Sequence, residues 1–362
     1  MSRTAPRRRA EPPPRPERPA RERRPRDERG SRERPPGRGP LSGRAKVAVA
    51  AVVAALGLAA LVAAMVPVGP GWLGEAGAVA VAVTYTWALA ARTGGRPLVF
   101  GGLALLLGVL AVVLDEDALR TGAAVLTCVV SAVLAVMGTV PARRFHQAAR
   151  ECALALLVAA VGALATVGFE PRIALVRFEY VTLGLALVAA FLLVVRLGAG
   201  LHGLGRRGVA IVLVGTVLLA VTLAYAELLR RYGTPGLVSS LLDAVRWSRD
   251  HLGAFPRPIE TVLGVPALVW GCHMRARRRQ GWWVCAFGVC ATAPVANALA
   301  NPSISLLECT LSVVYGAVVG LVIGYVVIRL DLALTGPRGR RSRRAEEEAA
   351  GRPEPRRTEA LL

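Results

Sequence analysis

Between Lys46 and Leu330 the chain alternates long Ala/Val/Leu/Gly runs with short gaps. Arginines crowd into every second gap: Arg92 and Arg96, Arg143 and Arg144, Arg206 and Arg207, then Arg275 and Arg277 to Arg279. A helix that crosses a bilayer needs about 20 predominantly apolar residues, and short Arg-rich loops stay on the cytoplasmic side. This alternation predicts both fold class and orientation. The chain reads as all-α, a polytopic transmembrane bundle of about ten spans, with its N-terminus and C-terminus cytoplasmic, in the cell (inner or plasma) membrane.

The spans fall near Ala45–Val66, Trp72–Ala91, Pro97–Leu114, Leu119–Val140, Glu151–Phe169, Val176–Val195, Gly208–Ala226, Pro258–His273, Gly281–Ala300 and Ile304–Ile328. With the N-terminus inside, Asp115, Glu116 and Asp117 cap the outer face and Arg329 returns inside. The eighth run is short, contains Pro266 and opens with Glu260. A re-entrant segment is the alternative there, but it would leave Arg275 to Arg279 outside, against the positive-inside rule. The long outer loop 228–257 has Leu237, Leu241, Leu242, Val245 and Leu252 near helical spacing, opposed by Asp243, Arg246, Arg249 and Asp250. This predicts a short amphipathic helix in the outer interface, started by a Ser240–Asp243 capping box and anchored by Trp247.

Hydrophobic residues are 54% of the chain and charged ones 19%, with a net charge of +21. The charge is segregated. Residues 1–46 carry sixteen basic residues against six acids, and 337–362 carry eight arginines against five glutamates. The domain reading is therefore a disordered Arg/Pro-rich tail over 1–44, a bundle over 45–330 and a second disordered tail over 331–362. The N-terminal tail interleaves proline with arginine and has no aromatic residue to stack on a base, so nucleic acid is a poor fit. Beside a bilayer it would be drawn to anionic lipids at about 1 kcal/mol per basic residue. The basic stretch before the first run is far longer than a signal-peptide n-region, so that run is expected to be retained.

Lys46 is the only lysine, and Ala, Gly and Pro are abundant. In this composition and in its layout of spans and tails, the chain resembles multi-pass integral membrane proteins of actinobacteria. The resemblance implies a helical bundle and brings no activity with it.

Few residues suggest chemistry. Cys128, Cys152, Cys272, Cys285, Cys290 and Cys309 form no C-x-x-C pair, and the four histidines form no H-x-x-x-H pair, so neither a metal site nor a cofactor is expected. Gly198, Gly200, Gly203 and Gly205 match no phosphate-binding pattern. An acid inside hydrocarbon is by default a site candidate, and Glu308 in the tenth run is the strongest. Asn297, Asn301 and Tyr225 fall at similar depth, and this set is the expected ligand-binding cluster. Gly316, Gly320 and Gly324 form a double G-x-x-x-G for close helix packing, within the chain or in a homo-oligomer. Two functions follow. One is a non-catalytic membrane protein acting through partner or lipid contacts. The other is a permease with its polar site around Glu308.

Overall fold

The computed structural model describes residues 43–66, 69–199, 201–277, 281–335 and 354–361. The expected N-terminal tail lies outside them up to residue 42, as do Gly200, Arg278, Arg279 and residues 336–353. Among the described residues every regular element is helical, and nine stretches are long and apolar enough to cross a membrane. By length and composition this is a helical membrane protein.

The first seven long helices follow the hydrophobic runs: α1 (Gly43–Met65), α2 (Leu73–Arg92), α3 (Pro97–Leu114), α4 (Asp117–Met137), α5 (Phe145–Gly168), α6 (Leu175–Val194) and α7 (Leu201–Tyr232). Pro97 opens α3 at its first helical position, where a missing N–H costs nothing. Short connections between α1 and α6 force neighbours to run antiparallel. The helices therefore have two common ends. Arg92, Arg143, Arg144 and Arg275 mark one, called the basic end below. At the other, Arg120 ties the helix ends together: Nη2 lies 2.5 Å from Glu75 and Nε 2.7 Å from Asp115.

The loop 228–257 does hold a helix, α8 (Pro235–Leu252), but its start differs from the expected one. Thr234 is the N-cap and Pro235 the first helical residue. Ser240 is then inside the helix, where its Oγ donates to the Gly236 carbonyl, and Asp243 pairs with Arg246. The capping box is replaced by a proline start, whose fixed φ suits the first turn. Trp247 is exposed and stacks on His251.

Beyond α8 two runs leave regular geometry, and each contains a proline. A π-helical turn, Ile259–Gly264, feeds α9 (Val265–Arg275), whose first turn contains Pro266. Proline cannot donate the intrahelical bond that an α-helix would require there, and a π turn accommodates the misfit. The ninth run is divided into α10 (Gly281–Ala286), α11 (Val289–Thr292) and α12 (Pro294–Leu299), the last break falling before Pro294. The final helix, α13 (Leu306–Thr335), extends past Ile328.

Burial separates the centre from the rim. The broken segment Gly281–Leu299 is buried over 94% of its apolar window, whereas α7 is buried over 6% of its own and α1 over 11%. Leu98, Leu106 and Val113 on α3 and Val214 and Val217 on α7 are exposed. Apolar faces of this extent match a hydrocarbon surround, where Leu and lipid tails are equivalent. Within the bundle, small residues set the spacing. A Cβ on Gly316 would stand 3.0 Å from the Glu260 carboxyl, one on Gly320 2.6 Å from Val265 Cβ, and one on Gly324 3.4 Å from Pro266 Cα. The glycine stripe of α13 thus faces the π turn and α9 of its own chain.

Candidate functional site

The four polar residues expected to share a site are dispersed. Glu308, in the first turn of α13, has Oε1 3.0 Å from Arg249 Nε of α8. Tyr225 is exposed on α7. The Asn301 side chain accepts from Ser303 N and Oγ, closing a local turn. Asn297 on α12 is buried and donates to Glu179 Oε2 of α6 at 2.9 Å, leaving its Oδ1 without a partner. A similar depth along the helices does not say which faces meet. The helix α8 intervenes and supplies Glu308 with a counter-charge. The Arg249 side chain is half-exposed, and exposed pairs contribute about 0–1 kcal/mol. Glu308→Gln should therefore leave the melting temperature of the purified protein nearly unchanged; a large drop would contradict this description.

The group in the position where a polar site was sought is Glu260. It lies in the π turn, is 0% exposed, and both carboxyl oxygens lack a hydrogen-bond partner. Its surroundings follow from the local sequence. Gly316 on α13 has no side chain, and this leaves room for the carboxyl group. On another side Gly264 lets the turn meet the backbone of Cys290 and Ala291 in α11. Arg257, three residues before Glu260, acts on the carboxyl electrostatically but makes no hydrogen bond to it: its Nη1 donates to the Pro294 carbonyl at 3.0 Å, where the ninth run breaks. The result is a carboxyl group enclosed by two discontinuous helices and a glycine-lined one. Uncompensated buried charges are costly, and non-helical backbone at membrane depth characterises binding sites in transporters. Among the described residues no group of three or more His, Cys, Asp or Glu is placed to hold a metal ion. The six cysteines are free and buried.

A second polar cluster occupies the basic end. Arg92, Glu151 and Arg275 are each at most 4% exposed. Glu151, expected at the start of a span, is six residues inside α5. Its Oε2 accepts from the Val140 backbone, and its Oε1 pairs with Arg150. Arg275 donates from Nη1 to Thr139 Oγ1 at 2.8 Å and from Nη2 to the Thr139 carbonyl, and its guanidinium lies 3.5 Å over the Trp282 ring. Arg92 Nε donates to the Met137 carbonyl. Where the sequence suggested a disordered tail, residues 354–361 lie against this cluster.

The signal for Glu260 was present in the sequence as an acid at the head of a proline-interrupted run. Nothing comparable marks the docked tail or its pairing with Glu151, because the contacts between tail and bundle join residues far apart in the chain, Glu151 with Arg357 and Arg92 with Arg356 among them. Comparison of the chain with family models, with curated proteins and with solved structures finds no match.

Proposed function

We propose that this chain is a cell-membrane permease of ten crossings, with Glu260 as the group that binds its coupling cation, a proton or a sodium ion. The observation that carries the reading is the fully enclosed Glu260 carboxyl, with no hydrogen-bond partner, in a π turn beside a broken central helix. A carboxylate in hydrocarbon needs compensation, and a mobile cation can supply it beside Arg257, whose guanidinium makes no hydrogen bond to the carboxyl. This takes up the permease alternative, with Glu260 in place of Glu308 as its polar site.

The orientation belongs to this proposal. The π turn and α9 run from the neighbourhood of Phe255, whose carbonyl accepts from Ser312 Oγ, to Arg275 at the basic end. That path supports a tenth crossing beside the nine long stretches, with the basic end and both termini in the cytoplasm. Anionic lipids there would hold the N-terminal tail. A second reading, a non-catalytic protein acting through partner or lipid contacts, is favoured by the wide apolar faces of α1 and α3.

Thermal stability of the purified protein against cations, metabolites and anionic lipids separates the two. A ligand of the native state stabilises it by about 2.7 kcal/mol at a hundredfold excess over Kd. A shift seen with the native protein and with Glu308→Gln, but lost in Glu260→Gln, is the expected result. Shifts from lipids alone, equal in all three proteins, would replace the permease by the second reading.

A further inference from the structure

The basic end of the bundle holds three buried charged groups whose compensation comes in part from residues 354–361. Arg275 Nη2 is 2.5 Å from Glu354 Oε2, and Glu151 Oε2 accepts from Arg357 Nη2 at 2.6 Å. Arg92 Nη1 donates to the carbonyls of Arg356 and Glu359, both at 2.7 Å, and its own carbonyl accepts from Leu361 N at 2.8 Å. The Leu361 side chain packs against the apolar core. Each end of the segment is thus read by side chain and backbone together, which is how a protein recognises a peptide rather than how a loose tail rests on a surface.

The two sides of this contact differ in burial. The Arg275 and Glu151 side chains are 0% and 1% exposed, whereas Glu354 and Arg357 are 21% and 38% exposed. With the segment in place, the bundle side of each pair is enclosed and the tail side is partly open to water. Space remains under the segment as well. A cavity of about 260 Å³ lies between α1, α2 and α5, lined by Thr84, Tyr85, Arg92, Glu151, Arg357 and Thr358. Arg92 Nη2 is buried there without a partner.

We propose that the basic ends of α2, α4, α5 and α9 form a peptide-binding site, and that residues 354–361 are its tethered, releasable occupant. The segment acts as a latch over that end of the bundle. Its opposite charges at Glu354 and Arg357 match Arg275 and Glu151 in order, so the site selects a short peptide of acid-then-base pattern that turns at Arg356–Glu359. Contacts that reach water weaken as salt shortens the screening length, to about 3 Å at 1 M. The latch is therefore sensitive to ionic strength. This inference stands apart from the role of Glu260, since it needs no transport.

The test keeps the full chain. A protease site is placed within 336–353, the protein is cut in the membrane, and the released fraction of the C-terminal fragment is measured after washing. At low salt the fragment should stay bound. It should be lost at about 1 M salt, and a synthetic peptide of residues 354–362 should displace it. Combining Glu354→Gln with Arg357→Gln, which removes both ion pairs while changing no residue of the helices, should raise release at low salt about tenfold, since charge-assisted bonds are the strong ones. Immediate loss of the native fragment at low salt, or equal retention of the double variant, would overturn the proposal. So would retention that rises with protein density in the membrane, which would mean exchange between copies.

Discussion

Gly264→Ala should destabilise the protein by about 3 kcal/mol, at the upper end of overpacking costs. Backbone freedom is not the reason, since Gly264 has ordinary helical angles of φ −63 and ψ −58. In such a conformation alanine is normally the better residue by about 1 kcal/mol. Space decides the sign. A Cβ at this position would stand 2.5 Å from the Cys290 carbonyl carbon and would also meet the Ala291 backbone. Neither is the end of a flexible side chain, so α11 or the π turn has to move. The matched control is Gly102→Ala on α3, where a Cβ would meet nothing within 4 Å. Unfolding of the two purified variants checks this: Gly102→Ala should match or exceed the native protein, and Gly264→Ala should melt well below it. Equal melting would show that the π turn and α11 are not in close contact.

The second large effect concerns activity. Glu260→Gln keeps the volume and the helix geometry but removes the group that can take up a cation. Because neither carboxyl oxygen of Glu260 has a partner, the exchange breaks no hydrogen bond, and the fold should survive it. Transport should fall by more than about tenfold, a difference of at least about 1.4 kcal/mol in the activation free energy. Retained folding with lost transport distinguishes a coupling group from a structural one. An unstable Glu260→Gln protein would instead mean that the carboxyl supports the packing of α13 on the turn.

The helices themselves were legible because the bilayer demands long apolar runs and because charge is confined to gaps. The helix α3 begins and ends where its run does, at Pro97 and Leu114. The irregular parts were legible only as warnings. Pro266 announced that the eighth run would not be a simple helix, but the π turn before α9 and the three-part division of the ninth run depend on what packs against them. The separate partners of the expected site residues have a related reason. Hydropathy fixes depth in the membrane, so Glu308, Asn297, Asn301 and Tyr225 could be placed at one level. It says nothing of rotation about each helix axis, and rotation put Asn297 towards Glu179 and left Tyr225 exposed. The Glu260 site differs because the acid and Pro266, six residues later, lie in one run, and the glycine stripe that faces them is itself a visible pattern on α13.

The most direct measurement of the central claim is the transient charge movement of proteoliposomes when a ligand from the stability panel is applied, compared for the native protein, Glu308→Gln and Glu260→Gln. The account predicts currents of similar size from the first two and none from the third. A full current from Glu260→Gln would contradict it.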